Sequence, residues 1–303
     1  MYKETMTKPR ILVTGATGNV GTEVVRGLQH LNVPFRVGAH DLKQACENLG
    51  EHTEIMPFDF LKPETYAQTF EGIERMFLVR PPALANVQRD IAPAIQAAVD
   101  AGVKHIVFLS IQGVEQNRVV PHHKIEEFIL QKGVQYTFLR AGFFMQNLTT
   151  THVADIRDHN EIALPVGKSK TSFIDVRDIA AVAVRTLTEE GHANKKYTLT
   201  GVEALDYDQV AHKLSAALRR PIRYTNPSLI RFVGRQMAQG QRFAYTLIMA
   251  ALYTITRFGN AKDVSQDVEM ILGRSPILFD QFAEDYRTSW QAKDVHAGHP
   301  IHA

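Results

Sequence analysis

The sequence predicts an α/β fold of the Rossmann type: a doubly wound parallel sheet carrying a smaller, mostly helical lobe that would hold a substrate. Three observations predict it. Strand-like and helix-like segments alternate through the first half of the chain, and parallel neighbours need crossover connections of that length. The strand-like runs are almost continuously apolar, as strands covered by helices on both faces must be. A glycine-rich turn, "TGATGNVG" at 14–21, stands between the first strand and the first helix.

Taken in order, "RILVT" (10–14), "PFRVGA" (34–39), "TEIMPFD" (53–59), "RMFLVR" (75–80), "HIVFLS" (105–110) and "QYTFLR" (135–140) read as six strands. Val20, Val24, Val25 and Leu28 recur at helical spacing and give the first helix one apolar face. Beyond about residue 150 helical patterns dominate, at Ile179–Leu187, Tyr207–Leu218, Ser228–Met237, Phe243–Phe258 and Val264–Leu272, with short strands at "SFIDV" and "KYTLT". The expected division is a dinucleotide-binding domain over 1–150, with return segments near 172–200, and a mainly helical lobe over 151–303. Asp178 reads as the N-cap of the helix after "SFIDV", and Asp175 as structural.

The 303 residues are 45% hydrophobic and 22% charged, ordinary values for a globular enzyme. A net charge of +2 with Lys and Arg spread along the chain lacks a nucleic-acid footprint, so the expected partner is a small molecule, not nucleic acid or a membrane. "FAYTLIMAALYTIT" (243–256) is too short to span a bilayer comfortably and reads as a buried helix. The single Cys46 excludes an intrachain disulfide, and "MYKETMTKPR" has no apolar stretch of a secretory signal. A cytoplasmic monomer or homodimer is the expectation. The histidines of "VHAGHPIHA" read as a frayed terminus, and no metal site is expected.

In Gly15-Ala16-Thr17-Gly18-Asn19-Val20-Gly21 the first glycine permits a sharp turn and the second a close approach of ligand to backbone. The third permits tight packing of helix on strand. The amides of Gly18, Asn19 and Val20 are then expected to point outward at a helix N-terminus, whose partial positive charge suits a diphosphate. The spacing differs from GxGxxG and a Walker lysine is absent, yet the turn opens the first β-α unit, where a dinucleotide site belongs. A carboxylate at the end of the second strand would bond the ribose hydroxyls of NAD and repel a 2′-phosphate. Ala39 holds that place, with Lys43 a nearby positive charge, so NADP is expected; NAD stays open through Asp41.

The blocks "VTGATGNVG", "FDFLKPETYAQTFEGIERMFLVRPP", "HIVFLSIQGVE", "HHKIEEFILQKGVQYTFLRAGFFMQN" and "SFIDVRDIAAVAVRTLTEE" resemble the NmrA-like branch of atypical short-chain dehydrogenases. The resemblance continues through "YTLTGVEALDYDQVAHKLSAALRRPIRY" and "VEMILGRSPILFDQFAED", nearly the whole chain. It implies an NADPH-dependent reductase of quinones, azo or triphenylmethane dyes, or iminium-type substrates. The same family includes regulators that bind the cofactor without turning it over.

By that resemblance His40 stands where similar reductases often carry an arginine for the 2′-phosphate, Asp59 would accept from the adenine amine, and Phe60 would pack near the ring. "VRPP", with Val79, Arg80 and Pro81, forms a proline-fixed loop beside the cofactor's ribose, and Arg80 would reach a phosphate or a substrate. Ser110 lies at the end of the fifth strand, where it would face the cofactor or substrate or simply cap the strand end. "AGFFMQN" follows the sixth strand and would face the nicotinamide, with Phe143 at the cofactor and Phe144 and Met145 at the substrate walling off water and Asn147, also on the substrate side, orienting the segment; the family's related motif carries a carboxylate where this chain has Gln146. Phe232, Tyr245, Met249 and Tyr253 are further lining candidates in the second lobe.

Most short-chain dehydrogenases pair a tyrosine with a lysine four residues on, so that a lysine-depressed phenol gives its proton as hydride arrives. Ahead of Lys124 that position is Val120, and the usual acid is absent. Lys124 is the catalytic candidate, with His122 and His123 as proton donors expected to titrate near neutrality. The first functional reading is hydride transfer to a conjugated or aromatic acceptor; the second is a redox-sensing regulator. Sugar-nucleotide epimerisation is argued against by the missing tyrosine.

Overall fold

The computed structural model describes residues 10–50, 53–241, 243–259 and 261–291, leaving aside the side chains of Ala244, Tyr245, Ile248 and Ile255. The histidine-bearing tail lies outside the described residues. Strands β1 (Ile11–Thr14), β2 (Phe35–Ala39), β3 (Glu54–Pro57), β4 (Arg75–Leu78), β5 (His105–Ile111) and β6 (Gln135–Ala141) alternate with helices α1 (Asn19–His30), α2 (Leu42–Leu49), α3 (Tyr66–Phe70), α4 (Val87–Asp90), α5 (Ala92–Asp100) and α6 (Pro121–Gln131). Then follow β7 (Phe143–Phe144), α7 (Val153–His159), β8 (Glu161–Ala163), β9 (Thr171–Ile174), α8 (Val176–Thr188), β10 (Lys195–Leu199) and β11 (Ala204–Leu205). The chain continues through α9 (Tyr207–Leu218), β12 (Arg223–Thr225), α10 (Leu229–Ala238), α11 (Phe243–Arg257), α12 (Asp267–Leu272) and α13 (Phe279–Asp285).

Seven strands form one sheet in the order β10-β6-β5-β4-β1-β2-β3, and every pairing in it is parallel. This is the doubly wound sheet expected. From β1 the chain steps outward to β2 and β3, then returns past β1 to β4, so strand order reverses between β1 and β4. That reversal opens a crevice at the carboxyl ends of the strands, the place where such sheets bind ligands.

Alternate residues feed the two faces. Ile11, Val13, Val37, Phe77, Val107, Leu109 and Leu139 pack with residues of α1, α2 and α8, whereas Leu12, Met76, Leu78, Ile106, Phe108 and Phe138 pack with those of α3, α5 and α6. Each such side chain taken fully from water contributes about 1.5–3 kcal/mol. Helices α1 and α8 approach closely: a Cβ on Gly27 would stand 2.8 Å from Val184 Cγ2.

The chain divides into two units, the first comprising 1–144, 174–202 and 264–276, the second 145–173, 203–263 and 277–303. Segment 264–276 therefore belongs with the sheet: Asp267 accepts from the Thr198 amide of β10 at 2.6 Å, and Arg274 pairs with the wholly buried Asp178 of α8 at 2.7 Å. Asp175, not Asp178, caps α8, accepting from the Arg177 amide at 2.9 Å. The cap lies at the strand's end because β9 stops at Ile174, and Asp178 is already in the first helical turn.

In the second unit β8 pairs with β12 in parallel and β9 with β11 antiparallel. Phe173 stands edge-on to Tyr207 and Phe279 at 5.6 and 5.7 Å, and Asp206 and Gln209 close a capping box at the head of α9. Helix α11 is helical over the stretch read as buried, but only one stripe is covered. Thr246, Ala250 and Tyr253 face inward at helical spacing while Phe243, Leu247 and Leu252 remain exposed.

Two buried imidazoles make stability pH-dependent. Thr137 donates its hydroxyl proton to the His192 carbonyl, so it accepts from His105 Nε2 at 2.8 Å. Burial, reinforced by the Arg75 charge, lowers His105 to about 4, and burial alone lowers His152 to about 4 against a smaller opposing effect of Asp155. In the unfolded chain both protonate near 6.5. The unfolded state therefore binds more protons between pH 6.5 and about 4, and the stability present above 6.5 is lost as pH falls through that window. At pH 5 each histidine costs about 2 kcal/mol. Thermal midpoints measured from neutrality downward are expected to decline below pH 6.5; a flat profile to pH 4.5 contradicts neutral burial.

Candidate active site

The crevice is built from the end of β1 outward. Thr14 donates to the Phe77 carbonyl and accepts from the Val79 amide, both at 3.0 Å, tying β1 to β4 beyond their last ladder pair, Val13 with Phe77. Gly15 follows with φ +64°, and a Cβ on it would also stand 2.9 Å from Val79 Cβ. The turn closes with the Gly18 amide donating to the Gly15 carbonyl at 3.0 Å, and Thr22 Oγ1 donating to the Ala16 carbonyl at 2.9 Å. A Cβ on Gly21 would lie 2.1 Å from the Gly15 oxygen, so helix and turn touch backbone to backbone.

One expectation changes here. The Gly18 amide is engaged by the turn itself, so the amides of α1 without an intrahelical acceptor are those of Asn19, Val20 and Gly21. Gly15, Thr17, Gly18 and Asn19 are exposed. No side chain caps α1, and its first turn holds no acidic residue. An open, uncapped, acid-free helix start behind close-packed glycines fits a diphosphate.

At the end of β2, His40 is exposed, and Asp41 is the N-cap of α2, accepting from the Gln44 amide at 3.0 Å. Lys43 is exposed, 4.0 Å from Glu47. Beyond β3, Asp59 accepts from the Leu61 amide at 2.9 Å, while Phe60 is buried edge-on against Phe58 at 4.8 Å. Beyond β4, Arg80 Nη1 donates to the carbonyls of Pro81, Pro82 and Leu84 at 2.9, 3.0 and 3.1 Å, curling the loop around the guanidinium. Val79 and Pro81 are half-buried beside it.

Sequence reasoning missed a buried network at the ends of β5 and β6. Ser110, in register with Arg140, gives its hydroxyl proton to Glu126 of α6 at 2.6 Å. Arg140 grips Glu126 with Nε at 3.1 Å and Nη2 at 2.6 Å, and Glu115 with Nη1 at 3.0 Å. Only 2% of Ser110 is exposed, so its hydroxyl serves this network. The available signal was Glu126 itself, a carboxylate beside Ile125 and Ile129 on the inward face of α6.

Helix α6 begins at Pro121 after Val120. His122 stacks on Phe108 at 5.9 Å. Burial, and then the nearby Arg80 charge, lower it to about 3, so it is neutral at the pH where titration was expected. His123 Nδ1 lies 3.1 Å from the Val114 carbonyl and Nε2 3.3 Å from Glu127. Lys124 is exposed and, among the described residues, has no ion-pair partner.

Phe143 and Phe144, half-buried, end the first segment of the sheet-bearing unit. Met145 and Asn147 belong to the second unit, where Met145 is buried and the Asn147 carbonyl accepts from the His152 amide at 3.0 Å. Tyr253 is wholly buried, its hydroxyl 2.6 Å from His152 Nε2 and its ring edge-on to Phe232 at 5.5 Å. The side chain of Tyr245 lies outside the described residues. The structure thus gathers the glycine turn, His40, Lys43, Asp59, Val79, Arg80, Pro81, Ser110, His123 and Lys124 in one unit at the carboxyl ends of its strands. Among the described residues no helix is long and apolar enough to cross a membrane, and no cluster of three His, Cys, Asp or Glu could hold a metal.

Comparisons with known proteins extend this picture. An NAD(P)H azoreductase of Xenophilus azovorans is 35% identical over 286 residues, covering 93% of this chain and 99% of its own length. The triphenylmethane reductase of Citrobacter sp., crystallised with NADP(H), superposes with a TM-score of 0.82 at 24% identity over 91% of this chain and 99% of that one. An NADPH-dependent quinone oxidoreductase of Escherichia coli, complexed with NADPH, superposes with a TM-score of 0.82 at 22% identity, over 91% and 99%. These likenesses of structure show the shared fold. The profile of the NmrA-like family matches residues 7–267, from ahead of the glycine turn through both units. With that turn, this strand order and the match along nearly its whole length, the chain belongs to the NmrA-like family.

Proposed function

We propose that the protein is an NAD(P)H-dependent oxidoreductase that passes hydride, preferentially from NADPH, to a small conjugated or aromatic acceptor of quinone, dye, iminium or activated-alkene type. The observation that carries this reading is the uncapped start of α1, where the amides of Asn19 and Val20 would hold the diphosphate. Support for the redox class comes from the azoreductase relative, which aligns over 93% of this chain. His40 and Lys43, exposed beyond β2, would favour a 2′-phosphate, and Asp41 is already engaged as a cap. NADPH, when bound, supplies the hydride.

This chain's residues then have limited work. Lys124 would hold a ribose hydroxyl or polarise an acceptor oxygen. Val120, where a tyrosine acid is usual, restricts the protein to acceptors that need little proton assistance. Oxidation of NADPH and NADH by purified protein, with quinones, azo and triphenylmethane dyes, iminium salts and activated alkenes, tests the reading. Turnover is expected with at least one class, and kcat/KM about ten-fold higher with NADPH, a difference of roughly 1.4 kcal/mol. Tight NADPH binding with no turnover of any class favours a redox-sensing regulator instead.

A further inference from the structure

The loop after β4 and the head of α6 bring together two basic side chains whose hydrogen-bonding edges are unused. Nη1 of Arg80 is committed to three loop carbonyls. Its other edge, Nε with Nη2, makes no hydrogen bond among the described residues, and Nε is buried without a partner. That edge is the fork that grips a carboxylate or sulfonate with two parallel hydrogen bonds. Among the described residues no carboxylate pairs with Arg80, unlike Arg140 two strands further along, which has two.

His122 stacks its ring on Phe108, which stands in register with Leu78, two residues before Arg80, and neither of its ring nitrogens is hydrogen-bonded among the described residues. Burial acts against the charged form of both groups, and no acidic residue contributes to either. A cationic group taken from water without a counter-charge is costly, and such groups cluster at sites that bind ligands.

We propose that Arg80 and His122 form a receiving corner for an oxyanion, a carboxylate or sulfonate carried by the hydride acceptor, and so select anionic aromatic acceptors over neutral ones. The inference rests on the reductase reading for the word acceptor, but the corner is a binding site in its own right. The cofactor's own anions have other places: the diphosphate at the head of α1, and the 2′-phosphate by His40 and Lys43. Those lie on the β1–β2 side of the crevice, whereas Arg80 and His122 lie on the β4–β5 side, with Lys124 on the same helix as His122. An oxyanion there would take the Nε–Nη2 fork and an imidazole N–H, with the aromatic body of the ligand left to the loop prolines.

The test is calorimetric and independent of turnover. NADPH-loaded protein is titrated with naphthalene-2-carboxylate and with its neutral isostere, naphthalene-2-carboxamide. The carboxylate is expected to bind at least ten-fold more tightly in the wild type. In His122→Phe, which keeps the stack on Phe108, the preference is expected to shrink several-fold. In Arg80→Lys, which keeps the charge but not the fork, it is expected to fall to about two-fold. Equal affinity for the two probes in the wild type overturns the proposal. So does a preference retained in both variants, or a loss that falls on NADPH affinity while the ratio between probes stays unchanged. A protein that shows the preference but reduces nothing keeps the corner and loses the reductase reading, so the two failures are separable.

Discussion

Gly18→Val is expected to abolish NADPH binding, weakening it at least 100-fold, or about 2.7 kcal/mol, while the fold survives. Gly18 has φ −88° and ψ 170°, a backbone that valine adopts without strain, and a Cβ placed on it would meet only the Gly15 oxygen, at 3.3 Å. The branched side chain would instead stand over the exposed amides at the head of α1. Tm is expected to fall by no more than about 2 °C, the scale of 1 kcal/mol in a protein of this size. Gly21→Ala makes the contrast, because its Cβ at 2.1 Å from a backbone oxygen forces the turn apart and lowers both binding and Tm. Titration of NADPH fluorescence together with a thermal melt separates the two. Unchanged affinity in Gly18→Val removes the cradle from the mechanism.

Glu126→Ala is expected to destabilise the protein by about 3–5 kcal/mol, the usual result of removing one partner from a buried ion pair. The variant deprives Arg140 of two of its three carboxylate contacts and leaves the Ser110 hydroxyl without its acceptor. Glu115, half-exposed, remains the sole counter-charge for Arg140 among the described residues. A Tm depression of about 5–8 °C follows from the usual entropy of unfolding. If Tm moves by less than two degrees, Glu115 alone satisfies the guanidinium and the network is dispensable.

The sheet was readable from sequence because its signals are local and redundant. A strand buried on both faces writes a continuous apolar run, and a glycine turn with one apolar helix face names the β-α junction. Contacts between distant segments write no such pattern. Nothing near Arg140 in sequence announces Glu126, and nothing near Asp178 announces Arg274. The same limit explains the cap: Asp175 and Asp178 are equally good capping residues, and the end of β9 decides between them. His122 read as a neutral-pH acid from its type alone, whereas Phe108 and Arg80, both contributed by other elements, set its behaviour. Tyr253 read as pocket because an aromatic on a helix has the same periodicity whether it faces ligand or core; His152 claims its hydroxyl.

The sheet-bearing unit is assembled from three separate stretches of chain. A polypeptide halted at residue 150 would emerge from the ribosome with the glycine turn, yet without the seventh strand that covers the edge of β6 and without the helix whose Val184 lies against Gly27. Such a fragment would expose a bare strand edge, a template for aggregation. Completion of the sheet in this protein thus waits on synthesis of its second half.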